Sequence, residues 1–416
     1  GAQQRGDGAV LRSHHLGTEL QDATVLGILL DHLDALAGEH PGRLHVLPLD
    51  VTASVRGSRT SELVARCMVE TGTSSYYTAL AEAAGDQALA VTLLTEAASL
   101  MPHGIGHIAR PSEYKTPQQT AEFNNAAQRW LREHTRLGIP ALMHEEALHG
   151  YAAFDATSLP QAIALASSWS PHIMHDVYAL AAREMRATGA HWALTPILDI
   201  ARDPRWGRIE ETMGEDPYLV STLGVAAIRG LQGEPAPEHG WDQRFANDKV
   251  VATLKHLTGH GQPQAGVNTA PAHIAPRELA EVFLTPFEAA VKLAHAASIM
   301  ASYNEIDGIP SHVNRALLQD IVRKEWGFNG VIVSDYFAIE ELNSRHQLYN
   351  SDAQAAKAAL LAGVDMETPD PDAFDVRDVE QLALPIDAKL VRTEKGGVSF
   401  LAALARAFPS GNVDPV

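Results

Sequence analysis

The sequence predicts an α/β fold, a (β/α)8 barrel of the TIM-like kind, irregular or incomplete towards its N-terminus. Three observations predict it. From about residue 104 onward one theme recurs, a short apolar run, a polar loop and a longer helical pattern, which is how a parallel sheet with crossover helices reads. The chain has 416 residues, 45% of them hydrophobic, enough to build one domain of barrel size. Finally, the apolar runs end in charged or polar residues, as barrel strands do at the mouth where their loops gather.

Taken in order, the predicted strands are residues 104–108, 139–144, 191–199, 250–256, 297–304, 330–335 and 363–366. Each is a short, mostly apolar run, and each is separated from the next by a stretch long enough for a crossover helix. The helices fall between them at 118–137, 160–187, 218–232, 276–294, 315–326 and 353–362, where helix formers dominate. These strands, seven of an expected eight, define a barrel domain at residues 96–375. Residues 1–95 mix helical and strand-like segments without a clear period, including apolar runs at 25–36 and 44–51, and suggest no topology. Residues 376–416 read as a tail with one helix candidate at 398–408, and the expectation is that no second sandwich domain follows the barrel.

Lys plus Arg number 32 and Asp plus Glu 51, so the formal net charge is −19. Such a chain repels phosphates and anionic bilayers, which argues against nucleic acid and membrane partners and for a neutral ligand. The single cysteine, Cys67, cannot form an internal disulfide, and no Cys and His set has the spacing of a structural zinc site. No apolar run reaches about 18 residues, and the first ten residues lack the features of a signal peptide. The sequence carries no signal for an oligomeric state or a compartment.

Polar residues gather at the ends of the predicted strands. Glu145 and Glu146 follow the second strand, Asp199 ends the third, Lys255 and His256 end the fourth, and Tyr303 and Asp335 close the fifth and sixth. In a parallel barrel these ends share one mouth, so the residues are expected to meet in one pocket. Asp335 closes the run Gly330-Val-Ile-Val-Ser-Asp, which places a carboxylate at the rim of an apolar strand. Glycosidic bond cleavage needs one carboxylate to attack or stabilise an oxocarbenium-like centre and a second group to protonate the leaving oxygen. Asp335 suits the first role. Lys255, Arg208 and His256 would keep it ionised and hold sugar hydroxyls, and Glu146 would accept hydrogen bonds from two of them. The charged stretch 202–218 contains Pro and Gly that forbid a continuous helix, so it reads as a loop over the mouth. Asp203, Arg205, Glu215 and Asp216 are expected to hold its shape, and Arg208 to face the pocket.

These residues resemble glycoside hydrolase family 3, the β-glucosidase and β-xylosidase family. The matching runs are Gly138-Ile-Pro-Ala-Leu-Met-His-Glu-Glu-Ala-Leu-His-Gly, Arg202-Asp-Pro-Arg-Trp-Gly-Arg, Lys255-His256, Ser302-Tyr-Asn-Glu-Ile-Asp-Gly and Val333-Ser-Asp-Tyr, in that order, over about residues 101–374. The resemblance implies a retaining exo-β-glycosidase that removes terminal β-D-xylosyl or β-D-glucosyl residues through a covalent glycosyl-Asp335 intermediate, with no cofactor. It implies Asp335 as nucleophile, with Glu146, Arg208, Lys255, His256 and Tyr303 around the terminal sugar of an oligosaccharide or glycoside. Family members often have Asp where Glu146 stands, and many β-glucosidases have Trp where Tyr336 stands. Both departures favour xylose, because the longer Glu146 side chain shortens the pocket.

In two-domain members of the family the acid/base is a Glu on a second, sandwich domain, and no counterpart is identified in this chain. The hexosaminidase branch instead uses a His in the loop after the Lys-His strand. Residues 258–268 do not follow that branch's spacing, which leaves His260 and His273 as stand-ins. A sugar-binding remnant that keeps the pocket without an acid/base is the alternative expectation. His144 and His149 are five apart, where two zinc ligands on one helical face need four, so a metalloprotease reading fails. No nucleophile elbow, P-loop or dinucleotide fingerprint follows a strand.

Overall fold

Among the described residues, seven parallel strands follow one another in chain order around one sheet: β1 (His107–Ala109), β2 (Leu142–Glu145), β3 (Trp192–Ala193), β4 (Val251–Leu257), β5 (Ser298–Ala301), β8 (Val331–Tyr336) and β9 (Met366–Thr368). A two-stranded antiparallel hairpin, β6 (Glu305–Ile306) and β7 (Ile309–Pro310), stands apart between β5 and β8. The structure is a computed structural model and describes residues 105–235 and 245–369. The expectations for 1–95, including its apolar runs, and for the tail 376–416 with its helix at 398–408 lie outside the described residues.

The sheet is a nearly closed barrel. Its two edge strands are tied by the His107 ring, whose Nε2 donates to the carbonyl of Pro369, just past β9, at 2.9 Å. Side chains alternate along each strand. Leu142, Trp192, Leu194, Val251, Met300, Val331, Val333 and Met366 form one buried cluster on the inner side. Ala193, Ala252, Leu254, Ile299 and Ile332 take the other side and join the larger core under the helices.

The crossover helices cover that outer core. They are α1 (Pro117–His134), the short α2 (Ala162–Ala166), α3 (Pro171–Ala187), α4 (Pro217–Gln232), α5 (Thr285–Ala294), α6 (Ala338–Ser344) and α7 (Asp352–Ala362). Thr116 and Gln119 cap α1 reciprocally, and Asp216 caps α4 through the Leu219 amide. In α4, Val220, Leu223, Ile228 and Leu231 are fully buried, each worth about 1.5–3 kcal/mol of transfer free energy. The helix lies so close to α3 that a Cβ on Gly230 would sit 2.4 Å from the His175 carbonyl oxygen.

Several boundaries differ from expectation, for local reasons. The predicted third strand, 191–199, pairs as a ladder only at Trp192–Ala193, because Pro196 brings no N–H to it; the chain rejoins β4 at a single bridge, Ile197 with Lys255. The predicted helix 160–187 is split before Pro171, which disfavours helical backbone at Ser170, and Ser170 caps α3 instead. Residues 276–294 enter α5 through a wide π-turn, Leu279–Phe283, ahead of Pro286. Residues 316–325 wind entirely as a π-helix.

Candidate active site

β8 delivers Asp335 to the mouth. Val331 and Val333 point into the barrel, and the two-residue period carries Asp335 to the same side. Its residue is only 7% exposed. Oδ1 accepts the Tyr336 amide at 2.8 Å, while Oδ2 is buried and has no hydrogen-bond partner among the described residues. The Asp335 backbone N–H donates to His312 Nε2 at 3.0 Å. Burial pushes the carboxyl up to about 6, against the pull of Lys255 and Arg208.

Next to it stands His256, at the end of β4, with Nε2 3.5 Å from Asp335 Oδ2. Asp199 fixes the orientation of this ring: Oδ2 accepts both the His256 amide at 3.0 Å and Nδ1 at 2.8 Å. Nδ1 is therefore the protonated nitrogen, and Nε2 presents a lone pair, into which Arg208 Nη2 donates at 3.2 Å. Burial holds His256 neutral, reinforced by the Arg208 charge, and raises Asp199 to about 7.

Arg208 is itself gripped by Glu211 through two hydrogen bonds, Nε to Oε1 at 2.9 Å and Nη2 to Oε2 at 2.8 Å, the bidentate geometry that suits a guanidinium. The loop bearing it is pinned by Gly261, whose carbonyl accepts the Arg202 and Asp203 amides; a Cβ on Gly261 would lie 2.1 Å from the Ile200 oxygen. Arg205 grips Asp203, as expected for residues that hold the loop's shape, and Asp216 caps α4 rather than pairing with a base.

On the other side of the mouth, Lys255 Nζ donates to Glu146 at 3.0 and 3.3 Å. Tyr303 donates its hydroxyl to the Tyr336 carbonyl at 2.8 Å, and the Tyr336 hydroxyl meets His144 Nε2 at 2.7 Å. The residues singled out from the sequence thus form two contact chains, Asp335–His256–Arg208 and Glu146–Lys255, joined through the neighbours 255–256, with Tyr303 and Tyr336 against Asp335. Glu145, which shares the strand end with Glu146, points the opposite way. It is buried behind the strand, accepts the Ser112 amide and hydroxyl and the Tyr151 hydroxyl, and is raised to about 7 by burial.

Three residues go beyond the sequence reading. Asp199 reads in the sequence as a strand-end acid, and only the fold shows its partner, the His256 ring. Glu211 sits three residues after Arg208, a spacing that signals pairing where the backbone turns as a helix, as it does at Ile209–Glu211. His312 is delivered by the β6–β7 hairpin, whose Asp307-Gly308 turn, both residues at positive φ, is a strong hairpin signal.

Asp199, His256 and His260 bring potential ligand atoms within 4.8 Å of one another. The His256 nitrogens already engage Asp199 and Arg208, and the adjacent guanidinium repels a cation. His260 is fully buried, donates from Nε2 to Asn268 at 2.8 Å, and is pushed down to about 3 by burial, which keeps it a neutral imidazole rather than an acidic imidazolium at neutral pH. His273 lies on the exposed surface. Among the described residues no helix is long and apolar enough to cross a membrane.

The sequence profile of the glycosyl hydrolase family 3 N-terminal domain matches residues 87–392. A β-xylosidase of Formosa agariphila is 43% identical over 238 residues, 56% of this chain and 32% of that protein. A periplasmic β-glucosidase of Salmonella typhimurium is 31% identical over 264 residues, 62% of this chain and 32% of the relative. Among solved structures, a β-glucosidase of Erythrobacter marinus superposes with a TM-score of 0.71 at 33% identity, covering 83% of this chain and 47% of that one. The chain spans about a third of the length of these curated relatives.

Proposed function

The chain belongs to glycosyl hydrolase family 3, through that family's N-terminal domain, and on this premise we propose that its barrel mouth holds the terminal sugar of a β-glycoside while Asp335 attacks it. The observation that carries the reading is the state of Asp335: one oxygen is held by a backbone amide, and the other is unbonded and flanked by fixed positive charge. Asp335 Oδ2 forms a bond to the anomeric carbon as the bond to the leaving oxygen breaks, and water then cleaves the glycosyl-Asp335 ester with net retention. Lys255 and Glu146 bind sugar hydroxyls. The neutral His256 gives its Nε2 lone pair to Arg208, which it thereby orients, and Arg208 stabilises the ionised carboxylate. The proton for the leaving oxygen has no candidate among the described residues, so the test uses activated aryl glycosides, whose leaving group departs unprotonated.

The sugar is proposed to be xylose before glucose. Glu146 stands where family members often have Asp, and its longer side chain would shorten the space for the hydroxymethyl group of glucose; the Formosa relative carries the name β-xylosidase. The test is intact mass after incubation with 2-fluoro xylosides and glucosides bearing a good leaving group, followed by peptide mapping. A label on Asp335, faster with the xyloside, is expected. If neither reagent labels the chain, the sugar-binding remnant becomes the better reading.

A further inference from the structure

Away from the residues around Asp335, a cavity opens beside the strand ends. The loop after β1 and the loop after β2 both leave the C-terminal strand ends, and between them lies a cavity of about 400 Å³, of the size small-molecule sites occupy. Its floor is rigid: Ser112 and Tyr151, both buried, are fastened to the buried Glu145 carboxylate. Its walls carry two aromatic rings turned to solvent, Tyr114, which is fully exposed, and Phe154, 63% exposed, with His149 and Glu113 at the edge.

Tyr114 is anomalous twice. Its backbone stands in the left-handed region, φ 59°, where a bulky side chain is disfavoured, and its ring buries nothing in return. A strained residue that presents an apolar ring to water is stabilised by whatever covers the ring. The neighbouring charges, Arg110 and Glu113, are already paired with one another, so the cavity offers a neutral ligand aromatic faces and polar edges rather than a net charge. Sugar rings fit that combination, with C–H faces for the aromatics and hydroxyls for the rim.

We propose that this cavity is an outer carbohydrate site, in which Tyr114 and Phe154 stack on internal sugars of a β-linked oligosaccharide, separately from the pocket at Asp335. The proposal rests on the reading of the chain as a β-glycosidase and deepens it by assigning a second contact to long substrates.

The host for the test is the full chain carrying Asp335→Asn, which cannot form the glycosyl ester. Its affinities for xylose, xylotriose and xylohexaose, measured by calorimetric titration, are compared with those after adding Tyr114→Ala, Phe154→Ala or Tyr114→Phe. Expected is a loss of about tenfold in hexaose affinity for each Ala change, about the worth of one stacked ring, with xylose binding unaltered and Tyr114→Phe close to the host. Tyr114→Gly should raise the melting temperature by a few degrees, because it relieves the left-handed backbone, and should still lose the hexaose. Hexaose affinity unchanged by both Ala variants, absence of oligosaccharide binding, or an equal loss for xylose overturns the proposal. Labelling of Asp335 in the unsubstituted chain is scored separately, so a failed outer site and a failed glycosidase reading give different results.

Discussion

Replacing Asp335 by Asn is expected to make the fold more stable at neutral pH while it abolishes covalent labelling. Burial lifts this carboxyl from 3.8 to about 6, and each tenfold change in proton affinity is worth about 1.4 kcal/mol, so holding Asp335 ionised costs the folded chain about 3 kcal/mol at pH 7. Because the folded-state value is the higher one, the folded chain binds the proton more tightly than the unfolded chain. Its contribution is whole below about pH 4 and is lost as the pH climbs through about 6. Asn removes the charge and keeps the shape. Urea unfolding of both chains between pH 4 and 8 should show the variant ahead by about 3 kcal/mol at pH 7 and above, and the gap closing as the pH falls to 4. No gap at pH 7, or one that persists unchanged on acidification, refutes the reasoning: the lone Oδ2 would then be well solvated or well bonded in solution.

Other outcomes follow from the same geometry. The rate of 2-fluoro glycoside labelling should fall as the pH drops through about 6, the value to which burial lifts Asp335, and Lys255→Met should move that limb to higher pH by removing a charge that lowers it, which a pH–rate profile reads directly. Asp199→Asn keeps the volume and an oxygen that still accepts the His256 amide and Nδ1–H, so the tautomer should hold and labelling should slow less than in Asp199→Ala, which leaves the ring unheld and should slow it by tenfold or more. Gly230→Ala drives a methyl into the His175 carbonyl and should cost about 1–3 kcal/mol in urea unfolding with labelling kinetics unaffected.

Asp335 is legible in the sequence because a β-branched run leads straight into it, so strand, rim and carboxylate are one local signal. Lys255 and His256 are legible for the same reason. Strand ends can be read without knowing which side a residue faces, and there the reading stops. Glu145 and Glu146 look alike in sequence, yet the pleat sends one behind the sheet to Ser112 and Tyr151 and the other into the mouth to Lys255. Asp199 is visible as an acid, but its work depends on the register between β3 and β4, which brings it under the His256 ring. His312 lies eight residues past the end of the predicted strand 297–304, and only the fold of the β6–β7 hairpin returns it to the Asp335 amide. A proline cuts the ladder inside an apolar run, as at Pro196, so the apolar character of the sequence continues past the last ladder pair.

The bond from His107 to Pro369 spans 262 residues of sequence. A ribosome adds roughly 5–20 residues per second, so about 13–50 s pass between the emergence of the two partners. Among the described residues only β2 pairs with β1 during that time, and the other edge of β1 is a template on which another nascent chain can pair. The slow, long-range closure makes synthesis the moment at which this protein is most exposed to aggregation, and it gives chaperones that mask strand edges their window of action.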